Sequence, residues 1–500
     1  MMNNKLRVLN ELRPAAEGFA GIPQETRILH ALFLENEALE TTGLLNGNVN
    51  PLKGFIVAKE KTKQDRFYFK SAAALELSEP QGGSRFDGIL RRYSRYGGMA
   101  RLKIGLLLRR GIKLHDIEMS DFGDFLWRKY FSKSLSARRY DEIVDARYAA
   151  LVPSWNGQQA AGYLPPARGR YPRVDTSKYD VMVAQTPWPG VVSPNTQLVV
   201  RFHDAIPIFY PHTIHNSYRH QFIHYFPLKS NLAHGGICVC NSENSRTELL
   251  KMFPEVEDRA PVIPCIVADD YYEEQVANET VCEVVGNTLE PDTEPKFEDV
   301  RDRLSFYRRS IKPGSFKYIM MVSTIEPRKN HSRLIAAWNQ IRVNRDPDLK
   351  LVIVGRPGWS CSDVIASMKP FQERGMLFNI SRVSSGDLRR LYNHAEAVVC
   401  PSIAEGFDLS GIEAMLSGGA VAASDIPVHR EVYGEACEYF NPYSTMQAAD
   451  AIWRIIERGK ETERRKELVE RGARQGLNYR KDRIGPMWEQ FFEDLKSRKR

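Results

Sequence analysis

Twice along the chain, short apolar segments alternate with stretches of helical period, and few folds accommodate that rhythm. The first run opens with Leu6-Arg-Val-Leu9, a glycine-containing loop over Glu17–Pro23 and a helical pattern through Thr26–Phe33. It resumes at Tyr179–Ala184, Gln197–Phe202 and Gly236–Cys240, after which Ser242 is placed to cap a helix. The second run contains Phe316–Val322, Leu349–Gly355, Ala397–Cys400 and Ala420–Ala423, with helical patterns at Ser332–Trp338, Ser385–His394 and Gly411–Ser417. Strands that are apolar throughout belong in parallel sheets covered on both faces. The sequence therefore predicts an α/β protein of two doubly wound, Rossmann-like domains facing across a cleft. We place the first over residues 1–305, with a basic and aromatic elaboration at about 60–173, and the second over 306–480. The acidic stretch Glu273–Glu298 reads as a loop or insertion before the second domain. Over 481–500 a helix carries Met487, Trp488, Phe491, Phe492 and Leu495, a stripe that predicts docking back on the first domain.

A net charge of +8 points to anionic partners without saying which. The densest basic run, Arg91 to Arg110, is interleaved with aromatic and apolar residues. It fits peripheral contact with an anionic membrane face and equally a solvated surface with snorkelling side chains. No apolar run approaches the roughly twenty residues needed to span a bilayer. The start, Met1-Met-Asn-Asn-Lys-Leu-Arg-Val8, lacks the apolar core of a secretory signal, which predicts a cytoplasmic location. Seven scattered cysteines form neither a disulfide framework nor a zinc array.

Chemistry concentrates at two loops of the second domain. One is Glu405-Gly406-Phe407-Asp408-Leu409-Ser410-Gly-Ile-Glu413, which follows a buried strand and opens a helix. A helix start offers free N–H groups and a favourable dipole to an anion, while the two carboxylates can accept hydrogen bonds from sugar hydroxyls. Gly406 and Gly411 would let a ligand approach the backbone. Glu413 is accounted for equally by a capping box with Ser410. The other loop carries Arg328 and Lys329 after the first strand of the domain, where adjacent cations can neutralise a departing diphosphate.

Together, in this order and spacing, these segments resemble the retaining glycosyltransferases of family 4, which have the GT-B fold. The resemblance is best from Tyr318 to Ile456 and extends more weakly to Val199-Val-Arg-Phe-His203-Asp204 and Cys240–Arg246. It implies that Lys329 binds donor phosphate, Glu405 the donor sugar and Glu413 the nucleotide ribose. Arg328 departs from the pattern, since the family often carries its arginine at the position of Thr324. His203 matches a histidine that approaches the donor sugar in similar enzymes; a core or capping histidine is the alternative. The loop Gly18-Phe19-Ala20-Gly21-Ile22 takes the place where the family's first strand–helix loop meets donor phosphate and acceptor, or is a plain turn. We expect no metal: Asp346-Pro-Asp348 looks like a metal signature but reads as turn chemistry.

The resemblance implies transfer with retention from a nucleotide diphosphate sugar, GDP-mannose being the favoured donor. The acceptor it implies is a polysaccharide or lipid-linked oligosaccharide such as growing O-antigen, and nucleic acid is not expected as a partner. The rival readings are an epimerase or phosphorylase of the same fold and a silent polysaccharide- or nucleic-acid-binding subunit.

Overall fold

The structure, a computed structural model, describes residues 5–18, 21–47, 111–117, 119, 121–151, 155–163, 169–274, 277–460 and 462–498. Phe19 and Ala20 of the glycine loop, and the basic run Arg91 to Arg110, lie outside the described residues.

The first unit is built on β1 (Leu6–Glu11), α1 (Ile22–Glu35), β2 (Leu39–Leu45), β3 (His115–Asp116), β4 (Arg147–Ala150), β5 (Val181–Ala184), β6 (Gln197–Phe202), β7 (Ile237–Cys240) and α2 (Glu243–Met252). Its sheet runs β3-β4-β2-β1-β5-β6-β7, parallel except where β3 pairs antiparallel with β4. The second unit uses β8 (Tyr318–Val322), α3 (His331–Asn344), β9 (Lys350–Val354), β10 (Leu377–Ile380), α4 (Ser385–His394), β11 (Ala397–Cys400), α5 (Leu409–Leu416), β12 (Val421–Ser424), α6 (Pro427–Tyr433) and β13 (Cys437–Phe440). Its order is β10-β9-β8-β11-β12-β13, parallel throughout. In both sheets the strand order reverses beside the first strand, and that switch point is where open α/β sheets form their binding crevice. The two crevices face each other, which is the GT-B arrangement.

Alternation along each strand feeds a core on either side. In β5 and β6, Met182 and Val200 pack on one face while Val181, Val183 and Val199 pack on the other. Met320 and Val352 are similarly opposed to Ile319, Met321 and Leu351 in the second sheet. Side chains buried on both faces explain why the strands read as continuous apolar runs.

The stretch from Glu273 to Glu298 is not a plain loop. It contains a helix, Asn278–Asn287, that buries Val281, Val284 and Val285 in the second unit's core. The apolar positions at i, i+3 and i+4 outweigh the acidic composition around them.

The last helix, α7 (Lys481–Arg498), packs Ile484, Trp488, Phe492 and Leu495 against Leu29, Phe33 and Val181 of the first unit. Trp488 is 1% exposed and meets Phe33 edge-on at 5.2 Å between ring centres. Trp488→Ala should cost about 3–5 kcal/mol, transfer loss plus cavity. Urea unfolding measures it, and a loss below about 1 kcal/mol would mean that α7 is not part of this core. The chain thus crosses between units twice. The crossings are joined where Val267 N–H donates to Tyr479 O (2.9 Å) and the Arg480 guanidinium to Ala268 O (3.1 Å).

Among the described residues no helix is long and apolar enough to cross a membrane. All seven cysteines are free and buried.

Candidate functional site

The strands β8 and β11 flank the switch point of the second sheet, and the loops that leave their C-terminal ends meet. Pro327 starts a short 3-10 turn, Pro327–Lys329, that presents both cations to the second loop. Arg328 O accepts from Ile403 N–H (2.9 Å), and the Asn330 amide donates to Pro401 O (3.0 Å), tying the two loops together. Asn330 has φ 62°, a left-handed conformation that asparagine tolerates, and it turns the chain into α3.

Four charges converge at the junction. Lys329 Nζ lies 2.6 Å from Glu405 Oε1, and the Arg328 guanidinium lies 2.6 Å from Glu405 Oε2. The same guanidinium reaches Glu326 at 2.6 Å. Burial alone would lift the pKa of Glu405, but Arg328 and Lys329 outweigh it and hold the carboxyl below its usual range. Burial likewise opposes the charge on Lys329, while Glu405 and Asp408 raise its pKa and keep it protonated. Thr324, where the resemblance places an arginine, is exposed, and Arg328 supplies the second cation at Glu405.

Asp408 sits at the tip of α5 with φ 71°. A non-glycine residue held there marks a strained position that its surroundings must enforce. Three groups do so: Ser410 Oγ donates to Asp408 Oδ1 (2.6 Å), His429 Nε2 approaches Oδ2 (3.2 Å) and Tyr433 OH donates to the Asp408 carbonyl (2.9 Å). Against burial, Lys329 and the hydrogen bond from His429 hold this carboxyl far below its usual range.

Glu413 does not form the capping box. Ser410 lies inside α5 and bonds to Asp408 instead, because the helix starts at Leu409. The Glu413 carboxyl is buried, accepting from Tyr392 OH (3.2 Å) and, across the cleft, from the Gln24 amide (3.4 Å). Burial pushes its pKa up to about 8. A group protonated more readily when folded stabilises the fold fully below its unfolded pKa, near 4.5, and loses that contribution as pH rises through about 8. Glu413→Gln, which cannot ionise, should therefore flatten the decline in stability between pH 5 and 8 by a few kcal/mol. Urea midpoints across that range test it; parallel profiles for the two proteins would refute it.

The motif glycines serve the protein rather than a ligand's approach. A Cβ at Gly406 would lie 2.0 Å from the His203 carbonyl oxygen, and one at Gly411 would lie 2.4 Å from the Tyr433 ring. Phe407 is also turned inward, edge-on to Tyr479 at 5.2 Å, so only its backbone borders the loop. Leu409 is partly buried against the second unit's core.

His203, at the end of β6, brings its carbonyl to Gly406, but its ring faces the first unit. Nε2 is 2.9 Å from Gln185 O, and Nδ1 is 3.4 Å from Glu25, which also holds the buried Arg201. Burial lowers the imidazole's pKa. Gly21 caps α1 with φ 69° and open space around it, a backbone need that glycine meets.

Asp346 pairs with Lys317 at 2.9 Å and accepts from the Asp348 N–H, which makes Asp346–Asp348 a turn at the N-terminal end of β9, remote from the crevice. Among the described residues no group of three His, Cys, Asp or Glu is placed to hold a metal ion.

Sequence reasoning missed Gln24, His429 and Tyr392. None carries a local signal, since each acts on a residue brought to it by folding, Gln24 across 389 positions.

Residues 303–475, which contain both loops, match the family of glycosyl transferases group 1. The second unit is a glycosyl transferases group 1 domain. The chain is similar to the serotype-specific mannosyltransferase WbdA of Escherichia coli, 33% identical over 134 residues, 27% of this chain and 16% of that one. It is also similar to the O-antigen chain mannosyltransferase RfbU of Salmonella typhimurium, 28% identical over 183 residues, 35% of this chain and 48% of the relative. The matches therefore span less than half of either relative. Over its whole length the fold is like that of the sucrose-phosphate synthase of Thermosynechococcus elongatus, with TM-score 0.55 and 14% identity, covering 99% of this chain and 100% of that one.

Proposed function

We propose that the chain is a retaining glycosyltransferase that moves a hexose, mannose from GDP-mannose, onto a growing lipid-linked surface polysaccharide. The observation that carries the reading is Glu405 clasped by Lys329 and Arg328 at the switch point of a glycosyl transferases group 1 domain. Two cations beside a helix start form a receptor for a diphosphate. In the structure Glu405 occupies that receptor. An arriving diphosphate takes over the cations and releases the carboxylate to accept hydrogen bonds from the sugar attached to it. The cations then stabilise the charge that grows on the diphosphate as the glycosidic bond breaks. Glu413 contacts the ribose, and the acceptor enters from the first unit. With no protein nucleophile assigned, the leaving diphosphate takes the acceptor's proton on the same face of the sugar. The mannosyltransferase names of the relatives favour mannose. Peripheral contact with an anionic membrane would bring the lipid-linked acceptor within reach, and the reaction would need no metal.

The test is to incubate purified protein with a panel of GDP- and UDP-sugars, with and without mannosylated lipid-linked acceptor, following nucleoside diphosphate release and the anomeric configuration of the product. Acceptor-dependent release from GDP-mannose with an α-linked product supports the proposal. Interconversion of two nucleotide sugars without acceptor would replace it with an epimerase, and dependence on inorganic phosphate with a phosphorylase.

A further inference from the structure

The tip of α2 belongs to the first unit, yet it is held by the second. Its own cap is ordinary: Ser242 Oγ accepts from Ser245 N–H at 3.0 Å. The two preceding donors are satisfied from far away, as Glu243 N–H and Asn244 N–H donate to the two oxygens of Glu431 at 2.6 and 2.9 Å. A carboxylate across successive N–H groups at a helix start combines charge-assisted hydrogen bonds with the favourable end of the helix dipole. Beside it, Ser242 Oγ donates to Gly406 O (2.8 Å) and Ser245 Oγ to His203 O (2.8 Å). One helix tip thus touches both the loop of Glu405 and the helix α6.

What α6 does with that contact follows from its other residues. His429 and Tyr433, one turn apart and stacked at 4.9 Å, hold the carboxylate and carbonyl of Asp408, the residue in the strained conformation. Glu431 points the other way, toward α2. The short helix is therefore a rigid link with the first unit on one side and the tip of α5 on the other.

We infer that Glu431 is a positioning residue for transfer: its carboxylate clamps α2 when the units close, and through α6 it fixes Asp408, and with it Lys329 and Glu405, in the arrangement that acts on the donor. The inference rests on the transferase reading. When the units part, the α2 donors pass to water and α6 loses its outer anchor. Donor binding, made within the second unit, survives; the catalytic step does not.

The experiment uses the full chain with Glu431→Ala, Glu431→Gln and the unaltered protein. Hydrogen exchange over Ser242–Ser245, with GDP present, reports the clamp, while steady-state kinetics and melting report its consequence. In Glu431→Ala, exchange at Glu243 and Asn244 should rise and kcat should fall about tenfold, with donor KM within about twofold and an unchanged melting temperature. Glu431→Gln, which keeps an accepting oxygen, should fall between. Unchanged exchange overturns the clamp, and so does a kcat loss matched by a fall in melting temperature, or a glutamine variant no better than alanine. If the unaltered protein transfers no sugar, the transferase reading fails, and the exchange measurement still decides whether Glu431 holds the units together.

Discussion

Glu405→Gln is expected to abolish nearly all transfer, by about a thousandfold, while making the protein bind nucleoside diphosphate more tightly. The two effects have opposite signs because Glu405 has two roles. In the structure it neutralises Lys329 and Arg328, each 2.6 Å away, and on the proposed reading a diphosphate must displace it. A neutral glutamine leaves the cations unmatched, which costs on the order of 2–4 kcal/mol of stability, less than for a fully buried pair because both cations are partly exposed. GDP supplies the missing negative charge, so its stabilising effect should exceed that on the unaltered protein. With sugar bound, however, the amide cannot accept hydrogen bonds at both positions, and the transition state loses a preorganised partner. Melting with and without GDP, alongside turnover, reads both signs. A variant destabilised equally in both conditions would show that the cations do not meet the diphosphate, and undiminished turnover would remove Glu405 from the reaction.

Gly406→Ala should also slow transfer severely, without touching any charge. The added methyl would sit 2.0 Å from the His203 carbonyl oxygen and 3.1 Å from Asp204 Cβ. Both neighbours lie on the opposite unit, and the nearer is backbone, which cannot swing aside as a flexible side chain could. The closed arrangement is excluded, and displacement of about 1 Å at a reacting centre costs roughly a hundredfold in rate. Because the clash arises only when the units meet, unfolding of the second unit should be little altered, and the radius of gyration with GDP bound should exceed that of the unaltered protein. Full activity in Gly406→Ala would mean that transfer occurs in a more open arrangement.

The parts of the molecule that were legible in the sequence are those written locally. Strands such as Gln197–Phe202 and the helix Ser385–His394 fall where the apolar rhythm puts them, because the apolar run of the strand and the Leu388, Leu391 and Tyr392 stripe of the helix are each written in neighbouring residues. The meeting of Lys329 with Glu405 was legible because each follows a strand beside the same switch point. The helix Asn278–Asn287 was obscured by its acidic neighbourhood, and the capping reading of Glu413 by a helix that begins at Leu409 rather than Gly411. Gly406 was legible as a site of close approach, but its visitor is the backbone of the other unit. Contacts such as Gln24 with Glu413 or Glu431 with Glu243 join positions hundreds of residues apart, and no local pattern encodes them.

The paired crossings between the units have a mechanical consequence. A single strand of chain would act as a swivel, free to twist in any direction. Here the outgoing path near Val267 and the returning path at Tyr479 are bonded side by side, and α7 is anchored by Trp488. Two pins in one frame leave a door its swing and deny it roll. Any parting of the units is thereby confined to a swing that brings the same residues back to the same contacts.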